Sequence, residues 1–116
     1  MSITIYHNPR CSKSRQTLQL IQEQGIEPEQ VLYLENPPSL GELSLLLEKL
    51  GRRPRELLRT GEDAYKALSL ADASLADAVL LKAMVENPKL IERPIVVKGD
   101  KAVLGRPPEN VLELLA

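Results

Sequence analysis

Residues 3–34 read ITIYHNPRCSKSRQTLQLIQEQGIEPEQVLYL. Residues 3–6 alternate apolar and polar side chains, as a short half-buried strand does. Residues 12–24 repeat apolar side chains at helical spacing among polar neighbours, and a glycine follows directly as a helix stop. Residues 31–34 form a compact apolar run of strand-forming residues, which predicts a buried second strand. This stretch therefore predicts a strand, a helix and a strand in succession.

The order of these elements has a consequence for the topology of the sheet. A strand, a helix and a second strand nearly always connect through a right-handed crossover, with parallel strands and the helix packed on one face. Cys11 directly precedes the predicted helix. The cysteine is therefore expected at the N-terminus of a helix and near the carboxyl end of the first strand.

The strongest helix signal of the middle region begins at Ser39. This residue precedes Glu42 by three positions, which is the spacing of a capping box, and Gly51 ends the helix that follows. The predicted apolar stripe of this helix consists of Leu40, Leu43, Leu47 and Leu50.

Three more helices are predicted in the same region. They span residues 55–59, 64–68 and 74–86. Ser74 is a suitable N-cap for the last of them, and Leu75 and Val79 belong to its predicted apolar side. Together with the capped helix, these segments form a helical insertion at about residues 39–88.

The pattern then returns to strands. Residues 95–97 and 102–104 are apolar runs separated by a turn at residues 98–101, which predicts a β-hairpin. A last helix is predicted from about Glu109, with an apolar side made of Val111, Leu112, Leu114 and Leu115. The whole order, βαβ, helical insertion and ββα, predicts an α/β thioredoxin-like fold with a four-stranded mixed sheet flanked by helices. A single domain over residues 1–116 is expected.

The composition disfavours several classes of function. The chain has 116 residues with no Phe or Trp and three Tyr, so the predicted core is aliphatic and stacking on nucleic-acid bases is not expected. The formal net charge of -1 creates no global field toward nucleic acid or anionic membranes. The sequence starts without the features of a signal peptide, and no apolar stretch is long enough to span a membrane. A cytoplasmic protein without nucleic-acid or membrane partners is therefore predicted.

Cys11 is the only cysteine of the chain. A lone cysteine cannot form an intramolecular disulfide or a multi-thiolate metal site, so no metal site is predicted. Most unpaired cysteines are buried, inert residues. Burial at this position would draw the neighbouring Asn8, Arg10 and Lys13 toward the core, which is unfavourable for polar and charged groups. The context therefore favours a reactive thiol.

The surroundings of Cys11 favour its thiolate, which is the reactive form of cysteine. A helix N-terminus offers unpaired backbone N–H groups and the positive end of the helix dipole. Arg10, Lys13 and Arg15 add positive charge in sequence, and Arg15 lies one helical turn along on roughly the same face. The thiol pKa is therefore predicted to lie below its free value of about 8.5. His7, the only histidine, either stabilises this thiolate or closes the loop with a hydrogen bond.

Three further arginines are candidates for binding an anion. Arg93 and Arg106 each precede a proline, which restricts their backbone to extended geometry and fixes where their side chains project. A fixed guanidinium suits an oxyanion because it donates two parallel hydrogen bonds. The third candidate, Arg59, follows Leu57-Leu58. Most arginines are solvated surface residues, so spacing alone does not select these three.

Five segments together resemble one known family, the glutathione- and glutaredoxin-coupled arsenate reductases. The segments are residues 7–15 (HNPRCSKSR), 32–38 (LYLENPP), 57–59 (LLR), 92–97 (ERPIVV) and 105–107 (GRP). Their spacing agrees with the family pattern, and the match runs nearly from end to end. The His-X3-Cys-X3-Arg element alone is weakly specific, whereas its combination with the two later Arg-Pro elements is quite specific.

The resemblance implies roles for individual residues. Cys11 is the expected nucleophile toward arsenate, His7 is expected to assist formation of its thiolate, and Arg15 is grouped with them as catalytic. Pro94 is expected to follow a cis peptide bond. The residues expected to hold the arsenate oxygens and the arsenic-sulfur adducts are Arg59, Arg93 and Arg106.

The resemblance also implies the reductant. Ser14 stands where a C-X-X-C motif would place a second cysteine, so Cys11 has no internal resolving thiol. In the implied cycle Cys11 attacks As(V) with loss of water, glutathione attacks the adduct, and glutaredoxin reduces it with release of arsenite. Glutathione is thus an expected co-substrate, and no tightly bound cofactor is expected.

Two other functions fit parts of the pattern. Spx-like regulators share the resemblance in fold and bind RNA polymerase, but their usual redox switch is a C-X-X-C pair, against which Ser14 argues. A monothiol glutaredoxin-like oxidoreductase or glutathione-binding module fits the thioredoxin-like order of elements. Stable binding to RNA polymerase without turnover of arsenate would favour the regulator, and disulfide exchange faster than arsenate reduction would favour the oxidoreductase.

Overall fold

Residues 2–115, which the computed structural model describes, form four β-strands and six α-helices. The strands are β1 (Ile3–Tyr6), β2 (Glu29–Val31), β3 (Ile95–Lys98) and β4 (Lys101–Leu104). The helices are α1 (Ser12–Glu23), α2 (Leu40–Leu50), α3 (Pro54–Leu57), α4 (Asp63–Ala67), α5 (Asp77–Glu86) and α6 (Val111–Leu115). Single turns of 3-10 helix occupy Pro88–Leu90 and Pro108–Asn110. The predicted element order is confirmed.

The strands form one mixed sheet in the order β2-β1-β3-β4. β1 runs parallel to β2, as the predicted crossover requires, and antiparallel to β3, which pairs antiparallel with β4. The predicted α/β fold with a mixed sheet flanked by helices is therefore confirmed. Tyr6 at the end of β1 stands opposite Ile95 at the start of β3. Because of this register, the chain leaving β1 and the chain entering β3 meet at the same edge of the sheet.

The chain divides into two compact units. One consists of Met1–Asn36 with Arg93–Ala116, and the other is Pro37–Glu92. The first contains the sheet, α1 and α6, while the second contains α2 to α5. The helical insertion predicted at about 39–88 therefore falls inside the second unit. The single-domain interpretation stays a prediction.

The core of the first unit is aliphatic, as the composition predicted. It combines apolar side chains of β1 and of the centre of β3 with those on the inner sides of α1 and α6. The residues of this core are Ile3, Ile5, Ile21, Val96, Val111 and Leu114. On α1, two of the three buried side chains are polar, namely Ser14 and Thr17.

The predicted capping box of α2 is present. The Ser39 hydroxyl accepts the N–H of Glu42 at 3.2 Å, and the Ser39 N–H donates to the Glu42 carboxylate at 3.3 Å. Gly51 ends the helix with φ of 67°, a left-handed conformation that favours glycine. The stripe is corrected at two positions: Leu46 is buried, and Leu40 is 49% exposed. Leu40 is the first residue of the helix and lies at its exposed end.

The predicted position of the second strand is wrong. The apolar run suggested residues 31–34, whereas β2 spans Glu29–Val31. Leu32 already begins a turn, because its carbonyl accepts the N–H of Glu35 at 2.9 Å. Tyr33 is nevertheless only 2% exposed. Of the residues that follow the strand in this run, Tyr33 is therefore the one that packs in the interior, whereas Leu34 is exposed.

The helices predicted after α2 are present with shifted bounds. The largest correction concerns α5, which begins at Asp77 rather than at Ser74. Ser74 does not cap this helix, because its N–H and hydroxyl both donate to the Asp72 carboxylate, at 2.9 and 2.7 Å. Val79 is 47% exposed, so its predicted place on the apolar side is wrong. The residues that α5 buries are Leu80, Ala83 and Met84.

The predicted hairpin near the end of the chain is confirmed as β3 and β4. The last helix begins at Val111, after a turn of 3-10 helix rather than directly at Glu109. Val111 and Leu114 are buried as predicted, but Leu112 is 39% exposed and does not belong to the core.

Candidate active site

Cys11 occupies the N-cap position of α1, as the sequence predicted. Its backbone is extended, with φ of -94° and ψ of 123°, and its carbonyl accepts the first helical N–H, from Arg15, at 3.0 Å. The Cys11 N–H donates to the Asn8 carbonyl at 3.0 Å, which closes the loop between β1 and α1. The thiol is half-buried. A side chain in this position lies over backbone N–H groups of the first turn that have no partner within the helix.

The pKa of the Cys11 thiol is lowered from its ordinary value. Partial burial by itself raises this pKa, and it is the largest single influence. The backbone N–H of Ser14, the Arg93 guanidinium and the backbone N–H of Lys13 act in the opposite direction, and together they outweigh the burial. The side-chain charge that acts on the sulfur is that of Arg93, which is distant in sequence, whereas Lys13 acts through its backbone.

Arg93 reaches the sulfur because of the strand register. β3 begins two residues after Arg93, opposite the end of β1, so its guanidinium can hydrogen-bond Cys11 from the neighbouring strand entry. Its Nε atom is buried and has no hydrogen-bond partner among residues 2–115. The Arg93–Pro94 peptide bond is cis, as the resemblance implied, and the Arg106–Pro107 bond is cis as well. A buried cationic donor beside a nucleophilic sulfur is suited to an anionic ligand.

Ser14 connects α1 to the loop that follows β1, a role that the sequence interpretation missed. Its Oγ lies 2.6 Å from Nδ1 of His7 and accepts the backbone N–H of Asn8 at 3.0 Å. Ser14 is fully buried, and His7 and Asn8 are 4% and 8% exposed. One signal was present in the sequence: Ser14 follows Cys11 by three residues, so a hydroxyl there faces the same side of the helix.

His7 has a pKa below its ordinary value. Burial is the larger cause, and the positive charge of Arg15 is the second. The imidazole is therefore neutral around pH 7. Its bond to Ser14 corresponds to the loop-closing interpretation of this histidine, and its part in forming the thiolate stays a prediction. Arg15 itself donates from Nη1 to the Pro9 carbonyl at 2.9 Å.

The other two predicted anion ligands lie in different units. Arg106 belongs to the first unit, and the residue before it, Gly105, donates its N–H to the Pro94 carbonyl at 2.9 Å. The backbone that carries Arg106 is therefore held beside the backbone that carries Arg93. Arg59 belongs to the second unit.

Arg59 is held by two carboxylates of its own unit. Its Nε lies 3.8 Å from Glu62 and its Nη1 lies 3.7 Å from Glu92. These distances suit ion pairs but exceed a hydrogen bond, and both nitrogens are buried without a hydrogen-bond partner in the described part of the chain.

A cleft of about 290 Å³ adjoins the loop that precedes Cys11. Residues 7–10 line it together with Leu32, Leu34 and Glu35. Arg10 and Glu35 are exposed charged residues of opposite sign in this lining. Among residues 2–115, no group of three or more potential metal-ligating side chains is present, and no helix has the length and apolar character needed to cross a membrane.

Comparison with known proteins identifies the family. The sequence model of the ArsC family matches residues 6–114. The chain is 60% identical to an uncharacterized protein of Escherichia coli K12, YfgD, over 97% of this chain and 96% of that protein. It is 52% identical to an arsenate reductase of Haemophilus influenzae, covering 99% of this chain and 100% of the relative. The structure superposes on that of an arsenate reductase from Vibrio cholerae with a TM-score of 0.95 and 54% identity, covering 97% of both chains. With its cysteine, helix and arginines arranged as described, the chain belongs to the ArsC family.

Proposed function

We propose that this protein reduces arsenate to arsenite, with Cys11 as the nucleophile. The observation that carries the proposal is the lowered pKa of the Cys11 thiol at a helix N-terminus, beside the Arg93 guanidinium. Family membership and the relatives named arsenate reductases support the same substrate.

The first step is attack of the Cys11 thiolate on As(V). A sulfur-arsenic bond forms, and one arsenate oxygen leaves as water after it has taken up protons. The substrate is an anion approaching an anionic sulfur, so nearby positive charge has to offset their repulsion. Arg93 suits this task, because it already contacts the sulfur and retains a buried donor, Nε, without a hydrogen-bond partner among the described residues.

The electrons for the reduction come from outside the chain. Cys11 is its only cysteine, so two external thiols are needed for the two electrons that convert As(V) to As(III). Glutathione attacks the adduct and displaces a second oxygen as water. The glutaredoxin thiolate then attacks the glutathione sulfur. The bond between the glutathione sulfur and arsenic breaks, and its electron pair stays on arsenic. A glutathione-glutaredoxin mixed disulfide forms, and hydrolysis releases arsenite and regenerates the Cys11 thiolate.

The remaining candidate residues have distinct proposed roles. Arg93 and Arg106 hold arsenate oxygens from adjacent backbone segments, and Arg59 is proposed as a third ligand, as the family pattern implies. His7 maintains the loop that ends in Cys11, because its ring is tied to a buried hydroxyl of α1. Arg15 holds the same loop at the Pro9 carbonyl.

Glutathione is proposed to approach through the cleft beside the loop. This tripeptide carries two carboxylates and one ammonium group. Among the residues that line the cleft, Arg10 offers a positive charge and Glu35 a negative charge. Leu32 and Leu34 add apolar surface to the same lining. Residues 7–10 of the lining directly precede Cys11 in sequence, so a thiol bound in the cleft would lie near the adduct.

Turnover with purified components tests the function. Arsenate, glutathione, glutaredoxin and a regenerating system for glutathione are mixed with the protein, and arsenite is quantified directly. The wild type should produce arsenite, and Cys11→Ser should produce none while its circular dichroism spectrum and unfolding midpoint stay close to those of the wild type. Arsenite production that does not depend on Cys11 would contradict the proposal. Exchange of glutathione mixed disulfides faster than arsenate reduction would instead favour a glutaredoxin-like function.

A further inference from the structure

Thr17 is a buried polar residue of α1 that has no part in the proposed chemistry. Its side chain is fully buried. It follows Cys11 by six residues, which corresponds to about 9 Å along a helix axis. Its hydroxyl donates to the Lys13 carbonyl at 2.8 Å and also lies 3.3 Å from the Gly105 carbonyl. Because a hydroxyl has one proton, the shorter bond takes most of it, and the contact with Gly105 is mainly one of close packing.

Gly105 is enclosed between two other segments. Its N–H donates to the Pro94 carbonyl at 2.9 Å, and its carbonyl faces Thr17. A Cβ atom at this position would lie 2.5 Å from Oγ1 and 2.9 Å from Cγ2 of Thr17, and 2.8 Å from Cγ of Pro94. Carbon atoms do not pack that closely to such neighbours. Only a residue without a side chain therefore fits between Thr17 and Pro94.

Each member of this contact adjoins a part of the site. Pro94 and Gly105 are the chain neighbours of Arg93 and Arg106, and Thr17 lies on the helix that the nucleophilic cysteine begins. Packed interiors transmit a displacement instead of absorbing it. A shift at the contact therefore moves the two arginines relative to the cysteine.

We propose that Gly105, which packs between Thr17 and Pro94, is a positioning residue that sets the distance of Arg93 and Arg106 from Cys11. The expected effect of Gly105 on the binding of arsenate rests on the proposed function. Its expected effect on the ionisation of the Cys11 thiol does not, because Arg93 acts on that thiol without substrate.

The substitution Gly105→Ala tests the proposal. The added methyl group should separate α1 from the segment that carries Arg93, so the pKa of Cys11 should rise and the KM for arsenate should increase about tenfold or more, as expected for one weakened charged hydrogen bond. The thiol pKa is measured from the pH dependence of alkylation by iodoacetamide on the folded protein. Gly41→Ala is the matched control, because a Cβ there meets only the Ser39 hydroxyl, at 4.0 Å. This control should change neither quantity.

A second substitution distinguishes positioning from a general loss of stability. Thr17→Ala removes two of the three atoms that would meet the new methyl group. Added to Gly105→Ala, it should restore part of the native thiol pKa and arsenate KM. A role limited to stability would change the unfolding midpoint and leave the thiol pKa of the folded protein unchanged. A native thiol pKa in Gly105→Ala, or its failure to recover in the double variant, overturns the proposal even if the protein proves not to reduce arsenate.

A milder pair decides the matter if Gly105→Ala does not fold. Thr17→Val keeps the branched shape but replaces the hydroxyl facing Gly105 with a larger methyl group, whereas Thr17→Ser keeps the hydroxyl and removes a methyl group. The Cys11 pKa should rise in Thr17→Val and stay near that of the wild type in Thr17→Ser. Equal thiol pKa values in the two variants would overturn the proposal.

Discussion

Nδ1 of His7 lies 2.6 Å from Oγ of Ser14, and both side chains are buried. The same hydroxyl accepts the backbone N–H of Asn8 at 3.0 Å. One serine on α1 thus satisfies two polar groups of the loop that leads to Cys11. Ser14 stands at the C-X-X-C position, so this chain has a structural hydroxyl where dithiol proteins have a resolving thiol.

The first prediction concerns Ser14→Ala. The substitution leaves the N–H of Asn8 and Nδ1 of His7 buried without this partner, so it should lower the free energy of unfolding by about 1–3 kcal/mol. Denaturant unfolding followed by circular dichroism measures the change. Ser12→Ala on the exposed side of the same helix is the control and should change stability by less than about 0.5 kcal/mol. Equal effects of the two substitutions would remove the structural role from Ser14.

The second prediction concerns the charge that ionises Cys11. Because the Arg93 guanidinium lowers the pKa of the thiol, Arg93→Gln should move the midpoint of its alkylation profile to higher pH. Lys13 acts through its backbone N–H, so Lys13→Gln should leave the midpoint in place. Arg93→Gln should also raise the KM for arsenate about tenfold or more, since a charged hydrogen bond contributes about 1.5–3 kcal/mol. A larger midpoint shift in Lys13→Gln than in Arg93→Gln would show that the flanking charge dominates.

The lowered Cys11 pKa also makes stability depend on pH. The folded state releases this proton at a lower pH than the unfolded chain does. Its contribution to stability is therefore fully present above the thiol pKa of the unfolded chain, about 8.5, and is lost as the pH falls through the folded value. The difference in unfolding free energy between the wild type and Cys11→Ser, followed from pH 9 downward, should decline over that window.

The fourth prediction concerns the single histidine. Burial is the main cause of its lowered pKa and Arg15 is the second, so Arg15→Gln should raise the pKa of His7 without bringing it to the ordinary value of about 6.5. A depressed folded pKa stabilises the protein above the unfolded value, and this contribution is lost as the pH falls through the folded one. Titration of the imidazole by nuclear magnetic resonance measures the shift without overlap, because the chain has one histidine. No change in Arg15→Gln would assign the whole effect to burial.

Local signals in the sequence predicted much of the fold. The capping box at Ser39, the left-handed Gly51 and the hairpin turn are short-range features, and each is present in the structure. One error arose where pairing with another strand decides the bounds, and another arose where a local turn competes with a helix cap. Residues 31–34 were assigned to a strand because they are apolar, yet pairing with β1 involves Glu29–Val31. Ser74 was assigned as a cap, yet it is engaged in a turn with the Asp72 carboxylate.

The same division applies to the candidate site. The place of Cys11 at a helix N-terminus follows from adjacent residues, and the sequence predicted it. The approach of Arg93 to the sulfur depends on the register of β1 with β3, across more than 80 residues of chain. Arg93 itself was reached through the family pattern, since spacing alone did not select it. The packing of Thr17 against Gly105 carries no sequence signal beyond the glycine, because it depends on how α1 lies on the sheet.

The last prediction concerns the cleft beside the loop. If glutathione binds between Arg10 and Glu35, then Arg10→Gln and Glu35→Gln should each raise its KM while the KM for arsenate stays near the wild-type value. The expected increase is about two- to fivefold, because ion pairs at exposed sites contribute only about 0.2–1 kcal/mol. Arg52→Gln, an exposed arginine that does not line the cleft, is the control.

Binding of the peptide to the cleft can also be measured without turnover. Cys11→Ser has no thiol and S-methylglutathione has a blocked sulfur, so chemical shift changes on addition of this peptide report binding alone. The backbone signals of residues 7–10 and of Leu32, Leu34 and Glu35 should respond, and Arg10→Gln should weaken the response. Shifts confined to other residues would place the peptide elsewhere, and the reductase function would then stand with a different route for its thiol.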